Sequence, residues 1–160
     1  MDYKIRKIED SEYGVLEDFL YEAIFIPPGM QAPPREIINS PELQVYITDF
    51  GKKMGDTAIV AEIDGKSIIG AVWARIMEDY GHIDDETPSL AISIYKEYRN
   101  HGIGRALMEK ILEALKIQGF RQVSLSVQKA NYAVKLYSDI GFEIIAENDE
   151  EYIMKCELSG

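Results

Sequence analysis

A short apolar, β-branched run, Leu90-Ala91-Ile92-Ser93-Ile94, is followed by Arg99-Asn100-His101-Gly102-Ile103-Gly104, and then by Ile103, Leu107, Ile111 and Leu115 recurring every four residues. The run reads as a strand. The four-residue recurrence, widened by Met108 and Leu112, reads as an amphipathic helix. The two glycines therefore sit at a strand-to-helix turn. The first amides of a helix have no acceptor inside it, the helix dipole favours negative charge there, and glycine lets a ligand come up to the backbone. The turn is a candidate seat for a phosphate-bearing ligand. Two better-known glycine motifs do not fit. A dinucleotide fingerprint would place a third glycine where this chain has Leu107, and the Gly-Lys-Ser/Thr of a phosphate-binding P-loop is absent.

Length and charge narrow the classes. The 160 residues, 46% of them hydrophobic, predict one globular domain over 1–160 with a real core. No apolar run approaches a membrane span and the N-terminus lacks the apolar core of a secretory signal, so a soluble cytoplasmic protein is expected, with no membrane partner. A net charge of −11 argues against nucleic acid as a partner. The same charge would attract cationic substrates such as amines, and it also serves solubility alone. The single cysteine, Cys156, can form no internal disulfide and reads as a buried thiol. No Cys/His spacing suggests a metal, and none is expected.

Along the chain, residues 3–8 predict a first strand. Asp10 or Ser11 would cap a helix whose inner face is Leu16, Phe19, Leu20, Ala23 and Ile24, ending before Pro27-Pro28-Gly29. The proline-rich stretch to Pro34 is irregular, and helical stretches are expected over 35–40 and 41–50. Two β-rich runs, 57–63 and 67–77, flank Asp64-Gly65-Lys66 and predict an antiparallel hairpin. An acidic loop, 78–86, leads to the strand at 89–95, the helix at about 102–118, and a strand at 122–127, together a β-α-β unit. A shorter helix, 131–140, ends at Gly141, and 142–146 with 151–157 can make a final hairpin. There is no internal repeat.

A second cluster, Asn131-x-Ala133-x-x-Leu136-Tyr137-x-x-x-Gly141-Phe142, lies downstream of Arg99-x-x-Gly102-x-Gly104. With both in view, the chain resembles the GCN5-related N-acetyltransferase (GNAT) superfamily over roughly 57–157. The resemblance implies a mixed α/β fold: a central, mostly antiparallel, twisted sheet of about six or seven strands with about four helices, strands 4 and 5 parallel and splayed. It implies acetyl-CoA as co-substrate and an amine-bearing acceptor. The pyrophosphate would lie on the amides of Asn100, His101, Gly102, Ile103, Gly104 and Arg105, with Arg99 opening the motif. The pantetheine arm would pair with the backbone of Ile92, Ser93 and Ile94, and Asn131 would contact it or cap its helix, or both. Family habit allows a homodimer, although the sequence displays no interface.

The same resemblance places Tyr137 where the family's tyrosine protonates the departing thiolate, a task open to a phenol with an ordinary pKa of about 10. Tyr137 also shares the apolar face of its helix, where an aromatic serves the core. For the base, the resemblance makes Glu86 the preferred candidate, because it precedes the strand at 89–95 near where a base occurs in some family members; on an extended chain it would share a side with Asp84. It equally belongs to a solvated acidic loop, and the proton could leave through water. Tyr13, Tyr21, Phe25, Tyr46 and Tyr80 are candidates for an acceptor pocket. Readings in which the chain binds acyl-CoA without transferring it, or binds another ligand on a plain α/β domain, remain as alternatives.

Overall fold

The computed structural model describes residues 2–65 and 67–158. A seven-stranded sheet runs in the order β1-β2-β3-β4-β5-β7-β6, built from β1 (Tyr3–Lys7), β2 (Thr57–Ile63), β3 (Ser67–Arg75), β4 (Ser89–Ile94), β5 (Gln122–Gln128), β6 (Glu143–Glu147) and β7 (Glu151–Glu157). Four α-helices accompany it: α1 (Val15–Glu22), α2 (Pro41–Gln44), α3 (Ile103–Ile117) and α4 (Ala133–Ile140). All strand pairs are antiparallel except β4 with β5. The expected mixed, mostly antiparallel sheet is thus the observed one; Lys66 of the expected hairpin turn lies outside the described residues.

The middle strands are apolar almost throughout because the sheet is covered on both faces. Along β2 and β3, Ile59, Ala61, Val72 and Ala74 face the layer that holds α3, while Ala58, Val60, Ala71 and Trp73 face Leu16, Phe19 and Leu20 of α1. The α3 stripe behaves as its spacing predicts: Ile103, Leu107, Ile111 and Leu115 are all buried. Removing one such side chain from water contributes about 1.5–3 kcal/mol, which is why this helix lies flat on the sheet.

Most elements end within one or two residues of expectation; the larger differences lie at α1, at 35–40 and at α2, the first and last through contacts distant in sequence. Asp10 and Ser11 do not cap α1; they form a 3₁₀ turn, Asp10–Glu12, and Gly14 stands at the helix start. Arg6 holds that turn in place, its guanidinium forked onto Glu12 at 2.8 and 2.7 Å while also reaching Glu62 at 2.9 Å. The stretch 35–40 forms a 3₁₀ turn, Arg35–Asn39. The helix expected over 41–50 stops at Gln44, because the carbonyls that would continue it are taken elsewhere: Trp73 donates to Tyr46 O at 3.1 Å, and Arg75 to Val45 O and Thr48 O at 3.3 and 2.8 Å.

Candidate active site

The parallel pair β4 and β5 meets at one position, Ser89 opposite Ser124, reinforced by Ser124 N–H donating to Pro88 O at 3.0 Å. Beyond it the strands diverge, so the edge of β4 that faces β5 has no strand partner from Leu90 to Ile94 among the described residues. The fork encloses a cavity of about 300 Å³. Leu90, Ala91 and Ile92 of β4 form one side and residues 125–128 of β5 the other. Leu20, Ile24 and Phe25 from the α1 region supply an apolar wall, and Tyr46, Glu151, Asn131 and Tyr137 bring polar groups.

The glycine turn leads into α3 near the open end of β4. Gly102 adopts φ +81°, ψ 1° at the helix start, and Asn100 also has positive φ, at +66°. The first backbone bond of the helix is Ala106 N–H to Gly102 O at 3.1 Å; among the described residues the amides of Ile103, Gly104 and Arg105 have no acceptor. These are free donors at the positive end of a 15-residue helix. The glycines differ in kind. A Cβ on Gly102 would meet nothing within 4 Å, so its requirement is the left-handed backbone alone, whereas a Cβ on Gly104 would make ordinary contacts of 3.5 and 3.6 Å with Ile94 and Leu136. Gly102→Ala should therefore lower stability by about 1–2 kcal/mol through backbone strain, measurable as a lower urea midpoint; an unchanged midpoint would mean that the turn has relaxed into another conformation.

Several expected ligand contacts are engaged within the protein. Arg99 donates to Ile94 O at 2.8 Å and to Glu22 Oε2 at 3.0 Å, so its guanidinium ties the glycine turn to β4 and α1 instead of standing free for phosphate. The Ser93 hydroxyl donates to Phe19 O at 2.6 Å, across the sheet from α3. Ile103 buries its side chain, leaving only its amide, and Arg105 pairs with Glu109 on the surface at 3.4 Å. His101 is exposed. Asn131 stands one residue before the N-cap position, Tyr132, and accepts from Ala133 N–H at 2.9 Å in the turn that leads into α4, and it still borders the cavity.

Tyr137 is 7% exposed, with its ring 6.1 Å from that of Phe142 and its hydroxyl without a partner among the described residues. It therefore packs as core and borders the cavity at once. Burial pushes its phenol up to about 12, so it remains a proton donor at neutral pH. Glu86, expected near the fork, stands apart from it. Its N–H bonds Asp84 Oδ1 at 2.9 Å in a tight turn, the chain there is not extended, and its exposed side chain does not border the cavity.

The cavity instead contains Tyr46 and Glu151. Tyr46 donates to Asp79 Oδ2 at 3.2 Å, and Asp79 also accepts from Ser89 at 2.8 Å, at the base of the fork. Burial raises the pKa of Tyr46 and of Asp79, and burial with the neighbouring charge of Glu150 raises that of Glu151. Nothing in the acidic loop distinguishes Asp79 by spacing, and Glu151 is one acid among several on a surface hairpin, so neither stood out in the sequence. Of the other aromatic candidates, Phe25 borders the cavity; Tyr13 packs edge-on against Phe50, Tyr21 donates to Pro33 O at 2.5 Å, and Tyr80 is exposed. Cys156 is buried beneath Gly141 and outside the cavity, its thiol pushed up by burial.

A splayed β4–β5 pair beside a glycine turn whose helix presents free amides is the arrangement at the centre of this sheet. The model of the Acetyltransferase (GNAT) family matches residues 20–142, and the chain belongs to that family. Among curated relatives it is 31% identical over 101 residues to N-acetyltransferase family 8 member 3 of Mus musculus, covering 62% of this chain and 44% of the mouse protein. It is 29% identical over 129 residues to an N-alpha-acetyltransferase of Sulfurisphaera tokodaii, covering 71% of this chain and 76% of that one. The chain thus spans under half the length of the mouse protein. Among solved structures, the PaiA N-acetyltransferase of Thermoplasma acidophilum in complex with coenzyme A superposes with a TM-score of 0.72 at 18% identity, over 98% of this chain and 99% of that one. A GNAT-family acetyltransferase of Streptococcus pneumoniae gives 0.70 at 23% identity, over 99% and 100%. These likenesses establish a common fold.

Proposed function

We propose that this chain is an N-acetyltransferase that moves the acetyl group of acetyl-CoA onto a primary amine by direct attack, with both substrates bound together. The observation that carries the reading is the fork: an unpaired β4 edge, a buried phenol and a polar-lined cavity lie beside the free amides at the start of α3. The pyrophosphate would take the amides of Ile103, Gly104 and Arg105, in a turn shaped by Asn100, His101 and Gly102. The pantetheine arm would run along β4 at Ile92 as an added strand would, with the Asn131 NH2 group, its oxygen already taken by Ala133 N–H, available to it. Arg99, Ser93 and Ile94 serve by fixing β4 and the turn to α1.

At the fork, Tyr137 is the group suited to protonate the leaving thiolate, since a phenol held up to about 12 keeps its proton until a stronger base appears. The sole cysteine is buried outside the cavity, which favours direct attack over a covalent acyl-enzyme. Two measurements test the proposal. Acetyl-CoA at 100 times its Kd should stabilise the fold by about 2.7 kcal/mol, read as a rise in Tm. Adding primary amines should then release CoA. No thermal shift overturns the site, and a shift without release with any amine marks a binding module that does no chemistry.

A further inference from the structure

Carboxylates withdrawn from water in this fold generally have a cation beside them. Asp56 has Arg75 at 2.9 Å, and Glu62 has Arg6 at 2.9 Å. Two carboxylates at the fork have none among the described residues. Asp79 is held by the hydroxyls of Ser89 and Tyr46 and by backbone N–H groups at Asp79 and Gly81, with no cationic side chain on it. Glu151 opens β7 opposite Gln128, borders the cavity, and makes neither an ion pair nor a side-chain hydrogen bond. Lys129, one residue beyond Gln128, is committed elsewhere: its ammonium lies 3.1 Å from Glu147 and 5.3 Å from the Tyr152 ring centre. Partial burial without a counter-charge is unfavourable for a carboxylate, and the raised pKa of each group reflects it. A cation that arrives with the ligand would relieve this.

The surroundings say where that cation would sit. Tyr46 is over-determined: Trp73 holds its carbonyl, Arg75 holds the carbonyls of Val45 and Thr48, and Asp79 holds its hydroxyl. Its phenol and Glu151 border the same cavity, which Leu20, Ile24 and Phe25 close with apolar surface. Resting on the transfer reading above, we infer that Glu151 receives the acceptor's ammonium group and removes its proton, and that the acceptor is a primary amine with an uncharged, apolar body and no carboxylate beside the amine.

The chemistry balances. One ammonium proton passes to the Glu151 carboxylate, and the freed lone pair attacks the thioester carbonyl carbon. The C–N bond forms, the C–S bond breaks, and the thiolate leaves with the Tyr137 proton. The nitrogen sheds its second proton as the amide forms, which restores Tyr137 through solvent; Glu151 returns its own to solvent, and the net release is one proton. A carboxylate adjoining the amine would face Glu151, with Asp79 behind Tyr46, and be repelled.

Paired probes test this. CoA release is followed with 2-phenylethylamine, n-butylamine and L-phenylalaninamide, and with L-phenylalanine, which differs from the first only by its carboxylate. The wild type should use 2-phenylethylamine at least about 100-fold better than L-phenylalanine, and Glu151→Gln should lower its turnover by about 100-fold while narrowing that preference. Because the Glu151 carboxylate makes no hydrogen bond among the described residues and its backbone N–H, bonded to Asn148 Oδ1, is unaffected by the substitution, the glutamine variant should keep its circular dichroism and its thermal shift with acetyl-CoA. Equal turnover of wild type and Glu151→Gln, or a wild-type preference for L-phenylalanine, overturns the inference and leaves the transfer reading standing. No CoA release by the wild type with any of the four overturns that reading, and the inference falls with it.

Discussion

Tyr137→Phe is expected to lower turnover on the order of 10²–10³-fold while changing the affinity for acetyl-CoA by no more than about twofold. The substitution removes one oxygen and leaves the ring against Phe142, so packing is retained and, in the proposed mechanism, the lost quantity is the proton donor to the departing thiolate. A second reading of the same variant comes from pH. The folded protein holds this phenol up to about 12, whereas an unfolded tyrosine titrates near 10. Below pH of about 10 both states keep the proton and stability is unaffected; between about 10 and 12 only the unfolded chain ionises, so stability falls as pH rises through that window. The contribution is roughly 2–3 kcal/mol, and Tyr137→Phe should lose that part of the alkaline sensitivity. Single-turnover and steady-state rates, with urea midpoints at pH 8 and above 10, check both statements. Turnover within about twofold of wild type would return Tyr137 to a purely structural role.

The parts of this molecule that were legible in its sequence are those set by local periodicity. The four-residue stripe of α3 and the alternation of β5 need only their own residues to be read, and the glycine turn between β4 and α3 needs little more. What was not legible depends on partners far along the chain. Arg6 decides how the chain enters α1 by gripping Glu12 and, 56 residues away, Glu62. Trp73 and Arg75 decide where α2 stops. The site divides the same way. Gly102 and Gly104 carry their geometry in the local pattern, whereas Tyr137 follows from the family resemblance alone, since its place on the apolar face of α4 reads as core. Glu86 follows from where the family carries a base, with an extended chain that the Asp84 turn replaces, while Glu151 gains its setting only when β7 pairs with β5 and opens beside Gln128. Arg99 is the instructive intermediate case: its position follows the motif, but its guanidinium is spent on Ile94 and Glu22, a partner that no local pattern names.

Arg75→Met should destabilise the fold by about 3–5 kcal/mol, a fall in Tm on the order of 10 °C for a chain of this size. Arg75 and Asp56 are both buried, at 2% and 0% side-chain exposure. The guanidinium meets both carboxylate oxygens, at 3.1 and 2.9 Å, donates to Thr48 O at 2.8 Å, and lies 5.2 Å from the Phe50 ring centre. Methionine fills much of the volume but leaves an unmatched carboxylate and two carbonyls that have lost donors. Asp56 would keep only the Gly51 and Lys53 amides. Arg75→Lys retains the charge and cannot fork, so it should fall between the two. By contrast, the Arg35–Asp18 pair is half exposed, and Asp18→Asn should cost under about 1 kcal/mol. The consequence reaches the fork, because the carbonyls released by Arg75→Met flank Tyr46. Below its melting range this variant should therefore show a raised KM for the amine with acetyl-CoA affinity near normal, since Tyr46 and Ile47 pack in the core layer of α1 whereas α3 packs in the other. A loss below about 1 kcal/mol by urea titration would mean that the core accommodates a bare Asp56, and Tyr46 would then not depend on Arg75 for its place.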